Sequence, residues 1–165
     1  MLIAHLPAGY LIGKRLGRGH PAATGLIATG LVASVLPDLD LVWFYLVNDR
    51  QNLHHEFVFH WPLFWVALAL ILSLISKGLG WRQAFPFIGV ALASLLLHMV
   101  LDSVAAGIGW LMPFSDAQIN LVVVPARYDW WVQSFVLHWT FLLELAICGW
   151  AAFVFARNRR QVARP

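Results

Sequence analysis

The sequence predicts an all-α integral membrane protein: a bundle of about four transmembrane helices, preceded by a short N-terminal re-entrant or half-spanning helix. Three observations lead there. Hydrophobic residues make up 61% of the chain, against roughly 45–50% in soluble domains, and the mean hydropathy is +0.74. Four segments reach or approach the ~20 apolar residues that cross a hydrocarbon core. Basic residues stand in short clusters beside those segments. No low-complexity tract or Ser/Pro-rich linker divides residues 1–165, which read as a single membrane-embedded domain.

In chain order, the stretch from Met1 to Gly13 is apolar but interrupted by Pro7, too short for a confident span and suited to a half-helix. The first span is expected from about Ala22 to Val47, with a break at Pro37-Asp38-Leu39-Asp40. The second runs from about His60 to Ser76. The third runs from about Ala84 to Gly107 and carries His98 and Asp102. The fourth, from about Trp131 to Ala156, carries His138 and Glu144.

Charge then sets the expected topology, because Lys and Arg are retained on the cytoplasmic side. Lys14, Arg15, Arg18, Lys77, Arg82, Arg157, Arg159, Arg160 and Arg164 fall on one side of the four spans, and Arg50 and Arg127 on the other. This split predicts a multi-pass membrane protein with a cytoplasmic C-terminus. The same clustering accounts for a pI near 9.5 without nucleic acid as a partner. Trp61, Trp110, Trp130 and Trp131 flank spans, where an interfacial aromatic belt sits. Cys148 is the single cysteine, which excludes an intramolecular disulfide and a Cys-based zinc motif. The basic residues of the N-terminus follow its apolar stretch, the reverse of a secretory signal, so no cleavage is expected.

The ionisable residues then fall at one depth. At 1.5 Å per residue, Asp38 and Asp40 lie roughly 25 Å from the cytoplasmic start of the first span, and His98 and Asp102 lie at a similar height. His54, His55, Glu56 and His60 occupy the outer loop and the entry to the second span, His138 lies about two turns into the fourth, and His5 points toward this layer. Charged groups within a bilayer cost from about 2.5 to more than 10 kcal/mol, so they are rare and usually paired or liganded. A divalent cation would neutralise the aspartates and keep the imidazoles neutral.

His98 and Asp102 are four apart on one helix, hence on one face, able to share an ion or to form a bracing His–Asp hydrogen bond. Asp38 and Asp40 are two apart and would diverge on a regular helix, so joint ligation requires unwound backbone after Pro37; solvated acids in a turn are the alternative. His55 and His60 are five apart and do not form a zincin pair, but a loop leading into a helix could bring them together. His54, His138 and Glu144 are candidate second-layer partners.

The ordered set of His5, PDLD from Pro37 to Asp40, H-x4-H from His55 to His60, HMVLD from His98 with a later PFS, and DWW, HW and Glu between Asp129 and Glu144 resembles the YdjM-like family. Its members are bacterial inner-membrane proteins described as metal-dependent hydrolases, and the resemblance covers nearly the whole chain. In the family's pattern Arg follows the first His of H-x4-H, where this chain has Glu56. A weaker resemblance of site, not of sequence, links the His and Asp set to zinc-dependent phospholipase C and P1-type nuclease.

Together these readings predict one to three divalent ions held by His5, Asp38, Asp40, His55, His60, His98 and Asp102. Zinc suits the mixed imidazole and carboxylate set best, with manganese or iron as alternatives. The expected activity is hydrolysis of a membrane lipid or lipid-linked (phospho)ester at the outer leaflet, facing the periplasm. Asp40 or Glu56 would be the general base and Arg127 an anion clamp. A metal-stabilised scaffold and a metal transporter are the competing readings.

Overall fold

The computed structural model describes residues 3–41 and 57–162, and among them the chain is helical, with one isolated antiparallel bridge between Ile108 and Ile119. Helix α1 spans His5–Leu16 and α2 spans Ala23–Ala33. A 3-10 turn, Pro37–Leu39, follows. A second 3-10 turn, Val58–His60, leads into α3, Pro62–Gly78. After the turn Arg82–Ala84 comes α4, Phe85–Asp102. Beyond a long irregular segment lie α5, Trp131–Val136, and α6, Phe141–Val162.

Glycine decides the first hairpin. Gly9 and Gly13 of α1 and Gly17, its C-cap, recur every fourth residue, so they share one face. That face lies directly on α2. A Cβ on Gly13 would stand 2.7 Å from the Ile27 Cα and the Leu26 carbonyl oxygen, and one on Gly9 would collide with the Gly30 carbonyl and the Ser34 side chain. Small residues at this spacing let helix backbones approach closely where no hydrophobic drive exists between apolar surfaces.

Neighbouring contacts fix the helix directions. Ser34, beyond the end of α2, reaches His98 near the end of α4, while Gly25 near the start of α2 abuts Phe87 near the start of α4. Helices α2 and α4 therefore run parallel. Glu144 at the start of α6 bonds the backbone just before α1, and Tyr10 meets Phe155 edge-on with ring centroids 6.1 Å apart, so α1 and α6 run together in the opposite sense. One end of the bundle thus gathers the start of α1, the end of α2, the turn before α3, the end of α4 and the start of α6. The opposite end gathers Lys14, Arg15, Lys77, Arg82 and Arg157.

Two helical stretches, Arg82–Asp102 and Phe141–Arg160, are long and apolar enough to cross a membrane; Ala23–Ala33 and Pro62–Gly78 are apolar but shorter. The expected four spans are thus only partly present as continuous helices. In the first, α2 stops at Ala33 because Pro37 has no N–H to bond back to the Ala33 carbonyl. The part from residue 42 to 47, with His54, His55 and Glu56, lies outside the described residues. In the fourth, the chain turns between α5 and α6, where the Thr140 N–H donates to His138 Nδ1 at 3.4 Å and so competes with helix continuation. The short N-terminal half-helix is present as the 12 residues of α1.

The surface is apolar where a soluble protein would be polar. Leu70, Ile71 and Leu74 on α3, and Leu142, Trp150 and Phe153 on α6, are exposed. Only 11% of the α6 window is buried inside the protein, unlike the core helix of a soluble domain. Inside, beside an apolar core that includes Leu26, Met99 and Ile108, the ionisable residues His5, Asp40, His60, His98, Asp102 and Glu144 are all buried.

Candidate metal centre

Each polar side chain of the buried end is delivered by a helix terminus or a turn. The Pro37–Leu39 turn unwinds the chain, so Asp38 and Asp40 need not diverge as they would on an α-helix. The 3-10 turn Val58–His60 presents His60 just before Pro62 starts α3. The last turn of α4 presents His98 and Asp102 on one face, as their spacing predicts.

Four ligand atoms converge there. Asp38, His60, His98 and Asp102 each offer one within 4.8 Å of all the others. His98 Nε2 lies 3.4 Å from His60 Nε2, 3.0 Å from Asp102 Oδ2 and 3.7 Å from Asp38 Oδ1. His60 Nε2 lies 3.9 Å from Asp38 Oδ1 and 3.8 Å from Asp102 Oδ2. A tetrahedral ion with bonds of about 2.0–2.2 Å sets its donors roughly 3.3–3.6 Å apart. The observed separations bracket that spacing.

The far side of each imidazole fixes its tautomer. His60 Nδ1 is 2.6 Å from Asp40 Oδ2, and His98 Nδ1 is 2.8 Å from the Ser34 carbonyl oxygen. A carboxylate and a carbonyl only accept, so both Nδ1 atoms carry the proton. In the neutral rings both Nε2 atoms then present lone pairs to the centre, facing two carboxylates. Four acceptors meeting without a donor repel one another, and a cation removes the repulsion. The donor set fits a metal ion, held in the manner of carboxylate–histidine–metal sites, whose outer partners orient the ring and raise its basicity.

Asp40 is therefore placed behind His60, as its orienting acceptor, and not among the four convergent donors or as a base facing them. His5 stands beside the four as well. Its Nε2 donates to Asp102 Oδ1 at 3.1 Å, leaving Asp102 Oδ2 for the centre, and its ring stacks on His98 with centroids 3.8 Å apart. His5 Nδ1 is buried and makes no hydrogen bond among the described residues.

The remaining candidates lie elsewhere. Glu144 is fully buried and accepts the backbone N–H groups of Ile3 at 2.5 Å and Ala4 at 3.1 Å, so it ties down the entry to α1 and thereby His5. His138 bonds Thr140 Oγ1 at 3.0 Å in the turn between α5 and α6. Arg127 is exposed, and among the described residues no contact joins it to the cluster, so the structure gives it no anion-clamping position. His54, His55 and Glu56 lie outside the described residues.

Two contributors escape a search for ionisable residues: the Ser34 carbonyl and the α1 glycines that bring Ser34 into place. The carbonyl has no side-chain signal. The repeat of glycine at every fourth position was visible in the sequence.

One comparison with known proteins found a family. The family model for YdjM inner membrane protein matches residues 1–162. No curated protein and no solved structure matches the chain.

Proposed function

The chain belongs to the YdjM inner membrane protein family, and we propose that it is a multi-pass, metal-dependent hydrolase acting on a lipid or lipid-linked (phospho)ester. One observation carries this reading: one ligand atom from each of four side chains converges within 4.8 Å of the others, and one of the four stands at an edge. The side chains of His60, His98 and Asp102 are at most 1% exposed, whereas that of Asp38 is 30% exposed. A purely structural ion is enclosed by its ligands, while a catalytic one keeps an open approach. Asp38 supplies such an approach.

A divalent ion there, zinc by the donor types, would lower the pKa of a coordinated water toward neutrality and polarise an ester oxygen. The chain's own groups do the positioning. Asp40 and the Ser34 carbonyl hold the two imidazoles with Nε2 inward, and His5 holds Asp102. Glu56, four residues before His60 in the sequence, is the proposed acceptor of the water's proton. A substrate embedded in the bilayer suits a centre set at one end of a bundle whose outer surface is apolar.

The proposed topology places the metal end at the periplasmic side and the basic end in the cytoplasm. Lys14, Arg15, Lys77, Arg82 and Arg157 gather at the end opposite the cluster, which supports that orientation.

The test is elemental analysis of protein purified in mild detergent, followed by a lipid-class hydrolysis screen. We expect bound zinc, hydrolysis lost on chelation and recovered with zinc, and neither in His98→Ala. Turnover by metal-free protein would exclude the mechanism. Bound metal with no turnover of any lipid class, and no exchange of the ion with added metal, would favour the metal-stabilised scaffold instead.

A further inference from the structure

A second feature lies away from the metal centre, on the outer side of α1, α4 and α6. It is a groove of about 830 Å³. Its walls are apolar, formed by Ala8 of α1, Leu97 and Leu101 of α4, and Ile147 and Val154 of α6. Its other end is basic: Lys14, Arg15, Arg18 and Arg157 line it, and no carboxylate does. None of these four cations forms an ion pair with a carboxylate among the described residues, although Lys and Arg so grouped repel one another.

We propose that this groove binds one anionic phospholipid, with an acyl chain against α4 and α6 and its phosphodiester among Lys14, Arg15, Arg18 and Arg157. The charge pattern selects the occupant. An apolar trough continuous with the lipid-facing surface takes a hydrocarbon chain, and cations on two helices at its mouth take a phosphate. Basic pockets between membrane helices on the cytoplasmic side bind acidic head groups for this reason. Arg adds paired donors matched to phosphate oxygens.

The site is separate from the metal centre. Lys14 is nine residues beyond His5 and Arg157 thirteen beyond Glu144, so the phosphate lies roughly 13–20 Å from the donor cluster along the helices. Its lipid is a bound companion and not a substrate in reacting position. It nevertheless bears on the fold, because a lipid bridging the basic end of α1 to α6 would tie together two helices that meet at the other end through Glu144.

The experiment is native mass spectrometry of the full chain in detergent, titrated with phosphatidylglycerol or with phosphatidylcholine of the same acyl chains, and separately with inorganic phosphate. One phosphatidylglycerol per chain is expected at least about tenfold more tightly than phosphatidylcholine, since roughly 1 kcal/mol accompanies each cation near an anionic lipid. The triple variant Arg15→Gln, Arg18→Gln, Arg157→Gln, with unchanged helicity, should lose roughly a hundredfold in phosphatidylglycerol affinity. Leu97→Trp, which fills the trough and leaves the charge intact, should weaken phosphatidylglycerol and leave the binding of inorganic phosphate unchanged. Equal binding of the two lipids overturns the proposal. So does inorganic phosphate binding as tightly as phosphatidylglycerol, which would mean an anion site without a lipid. A wild-type dimer that excludes lipid and dissociates in Leu97→Trp overturns it too, assigning the groove to a second copy.

Discussion

At the residue scale, the division of labour between Asp38 and Asp40 matters most. Both acids follow Pro37, yet one offers an oxygen to the four-donor cluster and the other sits 2.6 Å from His60 Nδ1 on its far side. Asp40→Asn keeps the shape and removes the charge that raises the basicity of His60. Loss of such an outer partner costs about 10–100-fold in metal affinity. We expect that range for Asp40→Asn in a competitive zinc titration, with helicity unchanged, whereas Asp38→Asn should remove a ligand and reduce affinity further. A variant binding zinc as tightly as wild type would remove Asp40 from the site. The pairing of His98 with Asp102 was legible in the sequence because four residues of helix bring two side chains to one face. The separate role of Asp40 was not, because the α-helical period does not carry through the 3-10 turn Pro37–Leu39, which Asp40 caps.

At the element scale, α1 is the hinge of the arrangement although it is too short to span. Two devices hold it. Glu144 accepts the N–H groups of Ile3 and Ala4, which lie at the helix start where no intrahelical acceptor exists. Glu144→Leu would leave those donors in an apolar interior, at a cost of about 1–3 kcal/mol each. It should lower the thermal midpoint in detergent and also weaken metal binding, since His5 loses its anchor; an unchanged midpoint would contradict this role. The second device is the glycine face. Gly13→Val would place a side chain on the Ile27 backbone, pushing α1 from α2 and shifting the Ser34 carbonyl away from His98. We expect Gly13→Val to lose both stability and metal. Gly89→Ala on α4 and Gly149→Ala on α6, where an added Cβ meets nothing within 4 Å, should be neutral or slightly stabilising. Equal behaviour of Gly13→Val and these controls would show that close helix approach is unimportant. The half-helix and the apolar α3, α4 and α6 were readable from hydropathy, which reports solvent preference. The stop at Ala33 and the turn at residues 137–140 were less so, because local hydrogen bonding decides them within apolar surroundings.

At the scale of the molecule, a cation held by the four convergent donors would tie folding to metal binding. The donors come from the turn after α2, the turn before α3 and the end of α4, so in an unfolded chain they are far apart and a cation binds the folded state preferentially. Free zinc at a hundredfold excess over its dissociation constant then stabilises by about 2.7 kcal/mol through mass action alone. Thermal unfolding in detergent should move upward with added zinc and downward with a chelator. His98→Ala should sit near the chelated value in both conditions, while Asp40→Asn should recover the full upward shift once zinc is raised in proportion to its weaker binding. That recovery separates a ligand from an orienting group by equilibrium alone, without reference to turnover. A zinc response persisting in His98→Ala would mean that the ion stabilises the bundle from somewhere other than the buried end, and the convergence of the four donors would then be packing rather than coordination.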